Sequence, residues 1–136
     1  MSDSNLAGVP ARSNGAVVGG VAVLLRLEGL ALFLAATTMF GLVHGHWWVY
    51  GVLFLSPDIS LAFYLAGPRA GAVAYNALHS SIGALLLGLA GYMGGVVALG
   101  PIALIWLAHI GFDRAAGFGL KYANAFGDTH LGLQRR

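Results

Sequence analysis

Charged residues are scarce in this sequence, since Lys, Arg, Asp and Glu together make up 9% of its 136 residues. Soluble globular domains carry roughly 25% charged residues, so this chain has too few charges to coat a soluble globule of its size. Hydrophobic residues account for 58% of the chain, and the mean hydropathy is +0.79. The shortage of charge predicts an integral membrane protein whose main partner is the lipid bilayer.

Cysteine is absent altogether, which excludes disulfides and thiolate metal ligands. The formal net charge is only +2, and no basic patch interleaved with aromatic residues occurs, so nucleic-acid binding is disfavoured. A signal peptide is not expected either. The first apolar stretch is interrupted by Arg26 and Glu28 and has no small-x-small cleavage site.

The long apolar runs that are present predict an all-α fold, a bundle of four transmembrane helices in up-down-up-down order. A span needs about 20 residues, so four spans nearly exhaust the chain. The transmembrane domain is expected over 21–120, between a flexible N-terminal tail (1–20) and a cytoplasmic C-terminal tail (121–136). The predicted spans are 23–43, 47–66, 70–93 and 97–116.

The second predicted span is interrupted by Ser56-Pro57-Asp58. Proline removes an intrahelical hydrogen bond, so we expect a kink or a break at this point. Ser56 is expected to cap a new half-helix with Pro57 in its first turn. Asp58 then has a simple alternative role, as a first-turn acid favoured by the helix dipole.

The distribution of Lys and Arg predicts the orientation of the bundle. With four spans, all seven of these residues map to the side that carries both termini and the second turn. The first and third turns carry none. By the positive-inside rule, both termini are expected in the cytoplasm.

Polar side chains on separate helices are expected at one depth, in the inner half of the bilayer, by the helical rise of ~1.5 Å per residue. His109 and Asp113 are four residues apart, as are Tyr75 and His79, so each pair shares a helix face. Asn76 is three residues before His79 on the same helix. This arrangement predicts a polar pocket that opens to the cytoplasm.

Two imidazoles and a carboxylate suit a divalent metal such as Zn²⁺ or Fe²⁺, and His79, His109 and Asp113 are the predicted ligands. A bound metal lowers the pKa of a water toward ~7 and so creates a nucleophile. Asp58 and Tyr75 are the candidate catalytic groups, with Asp58 as a further ligand or a general base. The common site requires the side-chain ends of the three ligands to lie within about 5 Å of one another.

Further polar residues are expected around this pocket. Arg69 and Arg114 are candidates for binding an anionic lipid headgroup. The tail beyond the last span is expected to fold under the bundle as a lid or as a source of further ligands. The additional pocket residues are Glu28, Asn76, Arg114, Asp128 and His130.

Structural roles are open for the same residues. Glu28 beside Arg26, and Asp113 beside Arg114, are also typical of interfacial charges that pair with each other or with headgroups. A hydrogen bond from His79, Tyr75 or Asn76 to a neighbouring helix would be a purely structural interhelical bond, which contributes about 0.6 kcal/mol on average.

Several strings resemble a small bacterial integral-membrane family catalogued as domain of unknown function 4260. They are Arg26-Leu-Glu28-Gly29, Ser56-Pro57-Asp58, Tyr64-x-x-Gly67-Pro68-Arg69, Tyr75-Asn76-x-x-His79, His109-Ile-Gly-Phe-Asp113-Arg114-x-x-Gly117-x-Gly119-Leu-Lys121-Tyr122 and Asp128-Thr129-His130-Leu131. The resemblance spans about residues 26–132. It implies a small multi-span protein of the bacterial inner membrane, and it implies no activity.

Two classes of function remain open at the level of sequence. The first is a membrane-embedded, metal-assisted enzyme acting on a lipid or amphiphile. The second is a non-catalytic membrane module, either a proton or solute conduit or an accessory subunit of a larger complex. Besides the bilayer, the candidate partners are further copies of the chain, in a homo-oligomer, and another membrane complex.

Overall fold

The computed structural model describes residues 16–123 and 127–133, without the side chains of Asp128 and Leu133. The fold is all-α, with a small hairpin of two-residue strands near the C-terminal end. The elements are α1 (Gly20–Leu42), α2 (Trp47–Phe54), a 3₁₀ helix (Ser56–Ala66), α3 (Pro68–His79), α4 (Ser81–Gly94), α5 (Leu99–Ala116), β1 (Asp128–Thr129) and β2 (Gly132–Leu133).

Two helical segments are long and apolar enough to cross a membrane, Gly20–Leu42 and Trp47–Ala66. The pair α3 and α4, bent by 44°, makes a third if it counts as one span. The fourth predicted span coincides with α5, which is not among these candidates. His109, Asp113 and Arg114 reduce the hydropathy of α5, so the structure supports two to three spans and the four-span bundle is not established.

α5 is the central helix of the fold, because α1, α2 and α4 all pack against it. Its buried residues are Ala103, Ile105, Ala108, His109, Ile110 and Gly111. α1, in contrast, buries only Gly29, Ala36 and Phe40. A helix surrounded by other helices does not have to be apolar on every face, so α5 can carry the polar residues that lipid-facing helices exclude.

The contact between α1 and α5 depends on two glycines. A Cβ atom at Gly111 would lie 2.5 Å from the backbone nitrogen of Phe33 and 2.7 Å from the carbonyl oxygen of Gly29. A Cβ atom at Gly29 would lie 2.7 Å from the backbone nitrogen of Ala115. The two backbones therefore approach as closely as in other membrane helix pairs with small residues at the crossing.

The second span is interrupted where the Ser-Pro-Asp string predicts it, but its second half is a 3₁₀ helix rather than an α-helical half-helix. The expected cap at Ser56 is wrong. Its hydroxyl donates backward to the carbonyl of Leu53 at 2.7 Å and makes no cap bond. Pro57 does stand in the first turn, where its missing N–H costs nothing. Asp58 follows it in the same turn and points into the bundle.

The third span is broken at Ser80, which no proline or glycine signals. Ser80 is extended, with ψ 144°, and it separates α3 from α4. The break leaves the last carbonyls of α3 without intrahelical partners. Side chains of α5 replace those partners, since the Trp106 indole N–H donates to Leu78 O at 2.6 Å and Arg114 donates to His79 O at 3.5 Å.

Gly117 ends α5 in the left-handed conformation (φ 94°), which glycine adopts without strain. The N–H of Phe118 donates to Asp113 O, and that of Gly117 donates to Arg114 O, which is a Schellman motif. The chain then turns back under the helices. Lys121 forms an isolated antiparallel bridge with Thr129, which belongs to β1 of the hairpin.

The described part of the predicted N-terminal tail contacts this returning segment. The N–H of Val17 donates to the carbonyl of His130 at 2.8 Å. The remainder of that tail, residues 1–15, lies outside the described residues, as do Arg135 and Arg136 at the other end.

Candidate metal centre

Four side chains from three elements meet at one point in the bundle. We call Asp58, His79, His109 and Asp113 the His/Asp centre. Asp58 comes from the 3₁₀ helix, His79 from the last turn of α3, and the other two from α5. One ligand atom from each of the four lies within 4.8 Å of the other three.

The distances between these atoms are short and similar. The two Nε2 atoms are 3.1 Å apart. His79 Nε2 lies 3.5 Å from Asp58 Oδ1 and 3.4 Å from Asp113 Oδ2. His109 Nε2 lies 3.7 Å and 3.4 Å from the same two oxygens. Four donors bound tetrahedrally to Zn²⁺ at ~2.0–2.1 Å are about 3.3–3.4 Å from one another, so the observed spacing fits such a site.

A hydrogen bond to the backbone of its own helix orients His79. The ring Nδ1 lies 2.9 Å from the carbonyl of Tyr75 and, as an N–H, donates to it. That bond leaves the lone pair of a neutral imidazole on Nε2, which is the atom that faces the His/Asp centre. A metal-binding histidine is commonly held by such a bond from its other ring nitrogen. His79 is 3% exposed.

His109 is equally buried, at 2% exposed. The Phe54 ring packs edge-on against its imidazole, with the ring centroids 5.2 Å apart. Its Nδ1 is buried toward the Phe54 carbonyl without reaching hydrogen-bond geometry. Its Nε2 is therefore the ring nitrogen that faces the other three ligand atoms, and Asp113 follows one helical turn later.

The two carboxylates differ in their access to solvent. The side chain of Asp113 is 16% exposed and that of Asp58 is 44% exposed. Asp58 also lies on a 3₁₀ helix, whose hydrogen-bond geometry is poorer than that of an α-helix. The centre is thus a buried set of two histidines and one aspartate with a more exposed fourth carboxylate.

The four groups bring several hydrogen-bond acceptors together. Two carboxylates and an imidazole lone pair bring acceptors together, and like charges this close repel unless a cation or shared protons lie between them. A divalent cation satisfies all four acceptors at once. The residues therefore fit a Zn²⁺-like metal ion, and histidine with aspartate is a common ligand set for one.

Tyr75 and Asn76 support the centre from outside it. The Tyr75 ring stacks on the His79 imidazole, with centroids 3.7 Å apart and planes 9° from parallel. The Asn76 side chain binds the backbone of Lys121 twice, since its Nδ2 donates to Lys121 O at 2.8 Å and its Oδ1 accepts from Lys121 N at 2.7 Å. These contacts position a ligand and the returning tail, respectively.

The other predicted pocket residues lie elsewhere. Glu28 and Arg69 are exposed, and Arg69 precedes His79 by ten residues of α3, about 15 Å along the helix. Arg114 binds the His79 carbonyl, as described above. His130 Nδ1 accepts the N–H of Leu120 at 2.8 Å and belongs to the returning tail. The side chain of Asp128 lies outside the described residues.

From the sequence, Lys121 serves only as one of the positive charges that predict the orientation in the membrane. In the structure its side chain is buried, at 7% exposure. Its ammonium lies 4.8 Å from the centre of the Tyr75 ring and 5.8 Å from that of Tyr64. Burial lowers the pKa of Lys121, and the nearby Asp113 carboxylate partly offsets that effect. The signal for this burial in the sequence is the pair of aromatic residues Tyr64 and Tyr75 within the predicted spans, since cations pack on such rings.

Comparison of the chain with the curated proteins and with the solved structures found no match. A protein-family model, described as Domain of unknown function (DUF4260), matches residues 22–133. That range begins at the third residue of α1. It contains all the later helices, the four residues of the His/Asp centre and the hairpin. The chain belongs to the DUF4260 family.

Proposed function

We propose that the protein spans the bacterial inner membrane four times, with both termini in the cytoplasm. The two candidate spans, the bent pair α3–α4 and the buried α5 supply four segments of suitable length. The position of α5 among α1, α2 and α4 supports its inclusion, because the other helices shield its polar groups from lipid. The one-sided distribution of Lys and Arg supports the orientation.

Within this bundle, the His/Asp centre binds a divalent metal. The observation that carries the proposal is the near-tetrahedral spacing of four ligand atoms from three separate elements, at 3.1–3.7 Å for the pairs that include a histidine nitrogen. Hydrogen-bonded packing alone needs no such convergence of four acceptors. Zn²⁺ is the best fit to this spacing.

A bound metal would supply a water activated as a nucleophile near neutral pH, which suits hydrolysis of a lipid or another amphiphile that reaches the site from the cytoplasmic leaflet. His79, His109 and Asp113 would hold the ion. The more exposed Asp58 would accept the proton of that water as a general base. Tyr75 keeps the His79 ring in its orientation by stacking and by accepting its Nδ1–H bond.

Metal analysis of the purified protein tests this assignment. We expect about one divalent ion per chain in the parent, and loss of that ion in His79→Ala and in Asp113→Asn. His44→Ala and Glu28→Gln are matched controls, since both parent residues are exposed and outside the centre. A parent without stoichiometric metal, or controls that lose metal equally, would contradict the proposal.

A second function is favoured by one feature of the same centre. Four protein ligands can close a tetrahedral site completely, as in structural zinc sites, and the metal would then only fasten the 3₁₀ helix, α3 and α5 together. The protein would in that case be a non-catalytic membrane module. Co²⁺-substituted protein separates the two functions, because added azide changes the Co²⁺ absorption spectrum only where a coordination position is open or exchangeable.

A further inference from the structure

An apolar groove adjoins the His/Asp centre on the side of the N-terminal end of α5. Its volume is about 170 Å³. The groove is formed by α3, by α5 and by the junction between α2 and the 3₁₀ helix. The 3₁₀ helix, α3 and α5 also carry the residues of the His/Asp centre. Its lining residues are Leu53, Ser56, Pro57, Leu78, Ile102 and Trp106.

The groove and the centre share one face of α5. Ile102, Trp106, His109 and Asp113 are spaced four, three and four residues apart, which places them in one row along the helix. The groove residues occupy the first two turns of that row, about 5–10 Å from the His109 level. On the 3₁₀ helix, the groove residue Pro57 directly precedes Asp58. On α3, the groove residue Leu78 directly precedes His79.

Fixed side chains form the wall of the groove. The Trp106 indole donates to Leu78 O at 2.6 Å, and its ring packs over Gly83, where a Cβ atom would lie 2.7 Å from it. Ser56, the one polar lining side chain, is already bonded to Leu53 O. The groove therefore offers a preformed apolar surface, as ligand pockets usually do.

Two cations lie beyond the opposite end of the centre. Arg114 follows Asp113 on α5, and its guanidinium reaches the carbonyl of His79. Lys121 has its ammonium above the Tyr75 ring, whose other neighbour is His79. Along α5 the order is thus apolar groove, His/Asp centre, then positive charge.

We propose that the groove holds an acyl chain of a membrane phospholipid, with the anionic head at the His/Asp centre and toward Arg114 and Lys121. The match between an apolar end, a polar centre and a cationic end supports this occupant over an apolar partner helix. The assignment rests on the proposed function, and it specifies the substrate class as an anionic phospholipid.

Photocrosslinking in bilayers tests the groove without any activity measurement. The probe is phosphatidylglycerol with a diazirine on one acyl chain, and the sites of attachment are mapped by peptide mass spectrometry. We expect labelling at Leu53, Leu78 and Ile102 on the order of tenfold above that at the lipid-facing Leu85 and Leu89. The same diazirine on phosphatidylcholine is expected to label the groove less than phosphatidylglycerol does.

Ile102→Trp fills the groove and should abolish this enrichment, whereas Leu89→Trp, on an exposed face of α4, should leave it unchanged. Equal labelling of groove and lipid-facing positions in the parent would overturn the proposal, whatever the variants do. Metal content measured on the same samples separates the two proposals. Groove labelling without metal contradicts the metal function alone, and metal without groove labelling contradicts the acyl site alone.

Discussion

Asp58 and Asp113 face the same two imidazole nitrogens, yet their exposed fractions differ nearly threefold, at 44% and 16%. A buried carboxylate that loses its charge leaves its partners without compensation, whereas an exposed one can be replaced by water. The two aspartates are therefore expected to contribute unequally to the centre.

Substituting each aspartate by asparagine measures this difference. Asp113→Asn should lose the metal, while Asp58→Asn should retain it with an affinity lower by on the order of tenfold, or about 1.4 kcal/mol. Competition with a chelator of known affinity provides the measurement. Equal losses in the two variants would mean that Asp58 is a permanent ligand and would favour the closed structural site.

His130 gives the returning tail a pH dependence. Burial, and next the charge of Arg114, lower the pKa of His130. The folded tail therefore prefers the neutral imidazole. The imidazole in the unfolded tail has a pKa of ~6.5 and therefore binds a proton more readily than the folded one. The stability of the folded tail is fully present above pH ~6.5 and decreases as the pH falls below that value.

Hydrogen exchange of the amides in 120–123 and 127–133, corrected for intrinsic rates, should show protection that decreases as the pH falls below about 6.5. His130→Ala should lower the protection at neutral pH and remove its dependence on pH. Protection of the parent that stays constant over this range would contradict the neutral-imidazole account.

The sequence predicted much of the centre but not its supports. Spacing along helices placed His109 with Asp113 on one face and His79 one turn after Tyr75, and these are local relations that helical geometry determines. The burial of Lys121 depends on the chain returning beneath α3, a long-range contact made through Asn76. Spacing along one element cannot reveal such a contact.

At the scale of the elements, the crossing of α1 and α5 determines where His109 and Asp113 point. Gly111 stands between these two residues, and its Cα hydrogen faces the backbone of α1. Any side chain there must separate the helices, and overpacking of this kind typically costs about 1–3 kcal/mol.

Gly111→Ala should accordingly lower the free energy of unfolding by that amount and reduce metal content. Gly100→Ala, in the same helix, is the matched control. A Cβ atom there meets nothing within 4 Å, so stability should stay the same or rise by up to about 1 kcal/mol. Denaturation of the detergent-solubilised protein, followed by circular dichroism, provides the comparison. Identical effects of the two variants would contradict a close crossing.

Asn76 is the link between α3 and the returning tail. Its amide bonds both the N–H and the carbonyl of Lys121, so Asn76→Ala removes two hydrogen bonds from a part-buried backbone segment. We expect faster amide exchange over 118–123 and 127–133 with little change in α1. Unchanged exchange in the tail would show that the bridge between Lys121 and Thr129 is sufficient to hold it.

The helix ends illustrate what local signals predict. The Ser-Pro-Asp string interrupts the second span as predicted. The 3₁₀ geometry of Ser56–Ala66 and the break at Ser80 were not foreseen. Both occur beside long-range contacts that local signals do not reveal. The 3₁₀ helix packs on α3, with Tyr64 over Gly71, and α5 side chains bind the free carbonyls of α3.

At the scale of the whole molecule, α5 is the helix with the most buried residues, and it also carries polar groups of the His/Asp centre. The more apolar helices pack around it. This arrangement explains why composition predicted four spans, whereas length and apolarity support only two or three. A central polar helix loses hydropathy without facing lipid, so its membrane role depends on its neighbours.

Orientation can be measured directly, because the chain has no cysteine of its own. Single cysteines at Arg69 and at Gly95 mark the second and third turns. An impermeant maleimide added to intact cells should label the Gly95 site, and the Arg69 site only after the cells are opened. The reverse pattern would contradict the orientation with both termini in the cytoplasm.

The measurement that tests the account most directly is metal content of the purified parent beside His79→Ala and the control His44→Ala. The account predicts about one divalent ion, Zn²⁺ by preference, in the parent and in the control, and none in His79→Ala. A parent that carries no stoichiometric metal after purification without chelators, and takes up none when Zn²⁺ is supplied, would contradict it.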